Sequence, residues 1–364
     1  MSNIQPNTDA LKTKQHFQIL DGLRGVAAIS VVIFHFMEIA QPDYEKSSIG
    51  HAFLAVDFFF CLSGFVIAYA YDRARLQKIG FGTFLKLRLI RLHPLVIIGS
   101  IIGLLCWFFD PFSNLYEKYG TVKAFLMFIT SCLMIPYPLI KERYFNLFHL
   151  NPPSWSLFWE YIANIVYALV LVKLPNKILW VLVVIAGAFL CHETYVSHNI
   201  MAGWGGDNVP AGAIRVSFSF LAGMLVYRSG WIIKTRLGFI AVAVLTLAVF
   251  LSPFSTKWNF ISEPIIVILY LPFLVALGAG ATLRPAFAKI CKFSGELSYP
   301  LYMVHYPFIW IFFSYLEKCK PTVSKLLVVI PVSVILLIGF AWLVLKFIDE
   351  PIRKYLKGRM EKSV

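Results

Sequence analysis

Apolar segments of membrane-spanning length recur along almost the whole 364-residue chain. They cover approximately residues 19–38, 53–71, 94–109, 122–138, 155–172, 178–191, 210–227, 237–252, 262–280, 297–316 and 324–348. A helix needs about 20 apolar residues to cross the hydrocarbon core of a bilayer. Only 14% of the residues are charged and the mean hydropathy is +0.73, which excludes an ordinary soluble domain. The sequence therefore predicts an all-α, polytopic membrane helix bundle.

Basic residues predict the orientation of this bundle, because loops rich in Lys and Arg stay on the cytoplasmic side. The segment 73–91 and the tail 351–364 are both basic, which places both termini inside and requires an even number of crossings. If segment 122–138 dips into the outer face and returns, most Lys and Arg residues lie inside. If it crosses instead, more of them lie outside than inside. We therefore predict about ten transmembrane helices plus one outer re-entrant segment at 122–138.

No long polar linker interrupts the apolar segments, so we expect a single membrane domain over residues 19–350. A polar cytoplasmic N-terminus, residues 1–18, precedes it, and the basic cytoplasmic tail follows it. The net charge is +14, but the sequence predicts no soluble domain that could hold a nucleic-acid site. No nucleic-acid partner is therefore expected. The six cysteines show no metal-ligand spacing, and no metal is expected.

An arginine and a histidine, Arg24 and His35, lie within the first apolar segment. A charge at the centre of a membrane helix costs roughly 2.5 kcal/mol or more. Eleven residues make about three helical turns, so both side chains share one face roughly 16 Å apart. Asp21 lies one turn before Arg24 and can partly neutralise it. The alternatives are that Arg24 extends to the interface and that His35 only hydrogen-bonds a neighbouring helix.

The second apolar segment begins with Asp57, at a depth predicted to match that of His35. A carboxylate that accepts a hydrogen bond from one imidazole nitrogen fixes the tautomer and raises the basicity of the other nitrogen. An exposed aspartate at a helix start is the alternative. Ser63 precedes Gly64 without the G-x-S-x-G pattern of a nucleophile, which favours a small-residue pair for close helix packing.

Further polar residues accompany the later segments. Arg88 and Arg91 lie one turn apart just before the third segment, where they can bind phosphate at a helix start; positive-inside charge explains them equally well. Glu160 enters the fifth segment and requires a partner, whether Arg, His or backbone donors. His305 lies among tyrosines, which either satisfy it structurally or form part of a site with it. The loop containing Trp204 either contacts a glycan or is only a flexible connection.

Five motifs occur in order along the chain. "LDGLRGVAAISVVIFHF" contains R-x10-H, on Arg24 and His35. "VDFFFCLSGFVIAY" contains D-x-F-F-x-x-S-G-F, and "RLIRLHP" contains R-x-x-R followed by Pro94. "WSLFWE" contains W-S-L-x-x-E, and "LSYPLYMVHYP" contains S-Y-x-L-Y-x-x-H. The series resembles acyltransferase family 3, a family of integral-membrane O-acyltransferases, over nearly the whole chain. His93 departs from the pattern, where the family more often has an aromatic residue, and leaves substrate details open.

The resemblance implies a multi-pass enzyme of a bacterial-type inner membrane with both termini cytoplasmic. It implies acyl-CoA, with acetyl-CoA expected, as a co-substrate and no permanently bound cofactor. The expected acceptor is a carbohydrate or lipid-linked glycan of the cell envelope, such as a lipopolysaccharide O-antigen, reached among membrane lipids. The residues expected to act are the donor-binding Arg24, Arg88 and Arg91, the general base His35 with Asp57 or Glu160 to orient it, and a further group of His305, Tyr302, Trp155 and Ser63.

A polytopic transporter is the competing class, because charged residues inside spans also form proton or substrate paths. The sequence has no detectable internal repeat, which many transporters have. The residues alone do not choose between Asp57 and Glu160 as the partner of His35, and they do not identify the acyl chain, the acceptor or the oligomeric state.

Overall fold

The computed structural model describes residues 17–362, and no β-strand occurs in that part of the chain. The helices are α1 Gln18–Ala40, α2 Ala55–Ala70, α3 Arg73–Phe108, α4 Leu115–Cys132, α5 Ser154–Leu169, α6 Asn176–Ser197, α7 Val209–Arg228, α8 Phe239–Phe250, α9 Asn259–Ile265, α10 Leu271–Gly280, α11 Pro285–Val304, α12 Tyr306–Cys319, α13 Val323–Val344 and α14 Glu350–Lys362. A short π-helical stretch joins α9 to α10, and another joins α13 to α14.

Within residues 17–362, eight helical stretches are long and apolar enough to cross a membrane. They are Gln18–Ala40, Ala52–Ala70, Arg73–Phe108, Ser154–Lys173, Asn176–Ser197, Val209–Arg228, Asn259–Gly280 and Val323–Met360, and Phe239–Phe250 is a shorter apolar helix. The predicted all-α polytopic bundle is confirmed. The number of ten crossings, the domain limits and the cytoplasmic termini stay predictions. Residues 1–16 of the predicted N-terminal segment and residues 363–364 of the tail lie outside the described residues.

The segment predicted to be re-entrant, 122–138, is only partly helical. Helix α4 packs against α3 and ends at Cys132, and the chain then runs through Pro136 and Pro138 without helical structure. Proline lacks the backbone N–H that a helix requires, which explains the end of regular structure. The re-entrant path itself stays a prediction.

Helix α3 begins much earlier than the apolar segment that predicted it. Asp72 caps it by accepting a hydrogen bond from the backbone N–H of Arg75 at 2.8 Å, and a kink follows at Gly80, where φ is +77°. Gly80 divides α3 into two helical parts, and Arg88 and Arg91 lie inside the second part, beyond its first turn. The predicted placement of the pair at a helix start is wrong, because the Leu-, Lys- and Arg-rich segment before residue 94 is itself a good helix former. That the pair binds phosphate stays a prediction.

Small residues bring α2 and α7 into backbone contact. A Cβ atom on Gly223 would lie 1.7 Å from the carbonyl oxygen of Cys61, and one on Gly64 would lie 2.0 Å from that of Phe220. No real side chain tolerates such distances, so both positions require glycine. The interpretation of Ser63 and Gly64 as a packing pair is confirmed for Gly64.

A break between α11 and α12 places a histidine beside α1. Pro307 lies in the first turn of α12 and cannot donate a helical hydrogen bond, so the helix is interrupted at His305. Helix α1 packs along α11 and also contacts α12. The break therefore lies beside the C-terminal half of α1, where His35 is located.

Candidate active site

His35 lines a cavity of about 370 Å³ near the C-terminal end of α1. We call it the histidine cavity. Nearly half of the residues that line it are aromatic: Phe34, Tyr44, Phe53, Tyr144, Trp155, Trp204, Tyr302, Tyr306, Trp310 and Phe313. Trp204, in the loop for which the sequence left both a glycan contact and a flexible connection open, lies in this wall.

A carboxylate on the same helix holds the imidazole of His35. Nδ1 of His35 lies 2.5 Å from Oε1 of Glu38, and the hydroxyl of Tyr44 donates to Oε2 of Glu38 at 3.3 Å. An ionised carboxylate only accepts, so Nδ1 carries the proton of the neutral imidazole. Nε2 then keeps its lone pair, as a general base requires.

His305 lies beside His35 but does not line the cavity. The two rings are stacked with centroids 5.4 Å apart, and His305 is fully buried. Its Nδ1 lies 3.1 Å from the carbonyl oxygen of Leu301 and donates to it, while its Nε2 has no hydrogen-bond partner among residues 17–362. Two tyrosine rings, Tyr302 and Tyr306, contact it, but neither supplies its hydrogen bond. Of the two histidines, only His35 is open to a substrate in the cavity.

The predicted orientation of His35 by Asp57 is wrong. Asp57 is fully buried and makes a two-point ion pair with Arg215, whose Nη2 and Nε lie 2.6 and 3.2 Å from its two carboxylate oxygens. Arg215 also donates to the carbonyl oxygen of Ala202 at 3.0 Å and lies over the ring of Trp155 at 5.2 Å. The pair thus links α2, α7 and the loop before α7. The negative charge of Asp57 neutralises Arg215 and does not act on His35.

Glu160 does not hydrogen-bond His35 either. Its Oε1 accepts from Nη2 of Arg88 and from the hydroxyl of Ser63, both at 2.9 Å. The prediction that Glu160 requires a partner is confirmed, with an arginine and a serine in that role. Among residues 17–362, the hydroxyl of Ser63 donates to this carboxylate and has no histidine as a hydrogen-bond partner.

The predicted donor-binding residues share a second cavity of about 170 Å³, which we call the arginine cavity. Arg24, Arg88 and Arg91 line it together with Ser63 and Glu160. Arg24 is close to Asp21, with Nη1 and Oδ1 3.5 Å apart, as the sequence predicts. Among the residues that line the cavity, three arginines face the single carboxylate of Glu160, so the lining itself has an excess of positive charge. Asp21, the neighbour of Arg24, lies outside this lining.

The two cavities share two wall residues, Val56 and Tyr302. The Tyr302 hydroxyl lies 2.8 Å from the hydroxyl of Ser156, and its ring meets Phe59 edge to face at 5.7 Å between centroids. Because Arg24 and His35 are eleven residues apart on α1, the cavities lie towards opposite ends of that helix. Tyr302 therefore separates a cationic cavity from one containing a candidate base.

An arginine that the sequence analysis did not consider completes the histidine cavity. Arg143 is buried and lies between the rings of Trp107 and Trp310, at 4.5 and 4.8 Å from their centroids. Burial lowers the pKa of Arg143 to about 9, while the charge of Asp110 opposes this shift. The side chain consequently keeps its charge at pH 7.

Comparison with known proteins identifies the family of this chain. The model of an acyltransferase domain family, acyltransferase 3, matches residues 17–346. The chain belongs to this family. It is therefore a multi-pass membrane acyltransferase, as predicted from the motif series.

Individual relatives of this acyltransferase agree with the assignment. Protein 2 in the picA locus of Rhizobium radiobacter is 35% identical over 42% of this chain and 82% of its own length. Peptidoglycan O-acetyltransferase OatA of Listeria monocytogenes is 25% identical over 96% of this chain and 59% of its own length. O-acetyltransferase OatA of Staphylococcus aureus is 25% identical over 92% of this chain and 57% of its own. The acyltransferase thus spans less than two thirds of either OatA protein. No solved structure matches it.

Sequence reasoning missed three residues of the acyltransferase site: Glu38, Arg215 and Arg143. Glu38 was detectable, because it lies three residues after His35 and an i, i+3 pair meets on a helix surface. Arg215 is an arginine inside a predicted span and so required a buried partner. Arg143 lies in a loop and its sequence context contains no comparable signal.

Proposed function

We propose that the acyltransferase transfers an acyl group, with acetyl as the first candidate, from cytoplasmic acyl-CoA to a hydroxyl group of a cell-envelope carbohydrate or lipid-linked glycan. The shared wall of the two cavities at Tyr302 carries this proposal. A thioester that extends from the arginine cavity and a hydroxyl in the histidine cavity would meet beside His35.

The arginine cavity suits the donor. CoA carries several phosphate groups, and guanidinium groups bind phosphate through paired, charge-assisted hydrogen bonds. Arg24, Arg88 and Arg91 supply three such groups. Glu160 holds Arg88 in place through the 2.9 Å ion pair and leaves the cavity positive.

The chemistry follows from the free Nε2 of His35. As the acceptor oxygen attacks the thioester carbonyl, Nε2 removes the hydroxyl proton, and Glu38 stabilises the imidazolium that forms. The tetrahedral intermediate then collapses with cleavage of the C–S bond. The CoA thiolate leaves and receives the proton from His35, so that the products are an ester and free CoA.

The histidine cavity suits a carbohydrate acceptor. Sugar rings place C–H groups on one face and hydroxyl groups around the edge, and aromatic side chains such as Trp155 and Trp204 offer a matching apolar surface. The names of the two OatA relatives, which describe O-acetyltransferases, support acetyl as the acyl group and an envelope glycan as the acceptor class.

The test uses detergent-purified protein, with acetyl-CoA binding measured by calorimetry and thioester cleavage by release of the free thiol. We expect Arg88→Ala/Arg91→Ala to lose acetyl-CoA binding. His35→Ala should keep binding but lose about 10²–10⁴-fold in turnover, the usual contribution of a general base.

Exposed residues of the same types provide matched controls. Arg73→Ala/Arg75→Ala removes two exposed arginines from the first turn of α3, and His192→Ala removes an exposed histidine of α6; both should behave as the unmodified protein. Failure of a folded sample to bind any CoA ester would overturn the donor assignment. Full turnover in His35→Ala would overturn the role of His35.

A further inference from the structure

Arg143 is the residue of the histidine cavity whose chemistry the proposed reaction leaves unused. Only 4% of it is exposed, and its Nη1 donates to the carbonyl oxygen of His149 at 2.7 Å. The two tryptophan rings on either side, Trp107 and Trp310, attract a guanidinium through their faces. The side chain is therefore held in a defined position at the cavity wall.

Within residues 17–362, this buried cation makes no salt bridge to a carboxylate. Among residues 17–362, no carboxylate oxygen lies within 4.0 Å of Arg143, and Asp110, the acidic residue with the strongest electrostatic effect on it, makes no hydrogen bond to it. Arg215, in the wall of the same cavity, makes its two-point pair with Asp57. Buried charges in proteins are almost always paired, so an unpaired one facing a cavity indicates a ligand of opposite charge.

The guanidinium of Arg143 also has N–H groups that donate no hydrogen bond to residues 17–362. Only its Nη1 donates a hydrogen bond to the described part of the chain, and neither Nε nor Nη2 is an enclosed, unsatisfied atom. Both atoms therefore keep some accessible surface, and Arg143 lines the histidine cavity. Two adjacent N–H groups of one guanidinium fit two oxygens of a carboxylate or phosphate.

We propose that Arg143 binds an anionic group of the acceptor, so that the preferred acceptor is an acidic carbohydrate, carrying a carboxylate or a phosphate, whose hydroxyl is presented to His35. The inference rests on the proposed function for the identity of the ligand as the acceptor. Donor phosphates do not need Arg143, because three arginines line the other cavity.

The charges of the histidine cavity also fix the direction of binding. Glu38 holds a negative charge at the His35 end, in contact with Nδ1 of His35 and the hydroxyl of Tyr44. An anionic group is repelled from that end and attracted to Arg143. An acidic sugar thus binds with its anion at Arg143 and a hydroxyl group towards Nε2 of His35.

The experiment begins with the unmodified, full-length protein in detergent and no acyl donor. Binding of methyl glucuronide is compared with that of methyl glucoside, which differs only in having CH₂OH in place of the carboxylate, and with that of glucose 6-phosphate. We expect one of the two anionic probes to bind at least about tenfold more tightly than methyl glucoside, and this preference to weaken with salt. The probe that wins distinguishes a uronic acid from a sugar phosphate.

Three variants then assign the preference to the side chain. Arg143→Gln should bring the ratio of anionic to neutral affinity close to one, and Arg143→Lys should keep part of it, because it retains the charge but not the paired donors. Lys141→Gln removes an exposed positive charge two residues away and should leave the ratio unchanged. A ratio is not altered by a uniform loss of folded protein.

Equal binding of the acidic and neutral probes to the unmodified protein would overturn the inference and leave acyl transfer untouched. A preference that survives in Arg143→Gln would also overturn it. If Arg143→Gln does not fold, the unmodified protein and Arg143→Lys still decide the question. A preference found in a protein that never cleaves acetyl-CoA would support this site and count against the proposed function.

Discussion

At the scale of single residues, the pairing of His35 with Glu38 rather than with Asp57 or Glu160 changes how the base is held. A partner on the next turn of the same helix moves with His35, so small shifts between helices do not disturb the hydrogen bond. Asp57 and Glu160 are each engaged by an arginine. Under the proposed reaction they maintain the cavity walls, and proton transfer belongs to the pair on α1.

Replacement of Glu38 tests this assignment. Glu38→Gln keeps the size of the side chain but can donate to Nδ1, which favours the tautomer with the proton on Nε2. We expect turnover to fall about 10²-fold or more while the acetyl-CoA dissociation constant stays the same, since the loss concerns tautomer and charge. Tyr44→Phe, which removes only the 3.3 Å hydrogen bond to Glu38, is the milder comparison. A parallel loss of acetyl-CoA affinity in Glu38→Gln would point to a structural role.

His149 gives a prediction on pH. Burial lowers the pKa of His149 to about 3, with the charge of Arg143 as a further cause. Its Nε2 accepts hydrogen bonds from the backbone N–H groups of Leu139 and Ile140, both at 3.1 Å, and protonation would eliminate both. The folded pKa lies below the unfolded value near 6.5, so this contribution to stability is complete above about pH 6.5 and decreases as the pH falls towards 3.

We therefore expect the free energy of unfolding to decrease by about 2 kcal/mol between pH 7.5 and pH 5 through this residue. Thermal unfolding in detergent at the two pH values measures the effect. His149→Gln supplies a side-chain oxygen as acceptor but does not titrate, and its dependence on pH should be weaker by that amount. An unchanged dependence in the variant would assign the effect to other groups.

Residue identities were predictable from the sequence where an ionisable side chain interrupts an apolar run, as Arg24, His35, Arg88, Arg91 and Glu160 do. The hydrogen-bond and ion-pair partners of such residues were harder to predict. Asp57 and Arg215 are 158 positions apart, and only the close packing of α2 on α7 joins them. A sequence shows that a buried charge needs a counter-charge, but the choice among several candidates depends on packing.

At the scale of elements, the contact of α2 with α7 sets the position of Asp57 and therefore of Arg215. We predict that Gly223→Ala forces the two helices apart, because its Cβ would fall 1.7 Å from the Cys61 carbonyl oxygen. Overpacking of this kind costs typically 1–3 kcal/mol, and more where backbone must move. The yield of monodisperse protein in size-exclusion chromatography should fall sharply.

Gly339 in α13 is the matched control for this substitution. A Cβ there has open space within 4 Å, so Gly339→Ala should leave the yield unchanged or raise thermal stability slightly, since alanine favours helix by about 1 kcal/mol over glycine. Equal behaviour of the two variants would contradict the close α2–α7 contact.

Element limits were predictable to the extent that hydropathy alone defines them. Helices α1, α2 and α7 nearly coincide with their apolar segments. Helix α3 extends well before its apolar segment because its first part is helical without being apolar. The segment 297–316 is broken at His305. Hydropathy detects the part of a helix that lies in lipid; it does not detect where the hydrogen-bonded turns begin or where proline interrupts them.

At the scale of the whole molecule, the distribution of Lys and Arg predicts which side each loop occupies. Lys78 in α3 should face the cytoplasm and Lys257, in the loop between α8 and α9, the exterior; both are exposed. In a protein without the exposed thiols of Cys191 and Cys319, a membrane-impermeant maleimide should label Lys257→Cys in intact cells. Lys78→Cys should react only after lysis, and labelling in intact cells would invert the predicted orientation.

The wall that the two cavities share at Tyr302 has an energetic consequence under the proposed reaction. Donor and acceptor each approach from their own side, so neither a nucleotide nor a glycan has to be carried through the bilayer. Only the acyl group changes compartments, and the free energy of the thioester drives its export. Such an enzyme needs no ion gradient and no ATP, and CoA is released into the same pool from which it was taken.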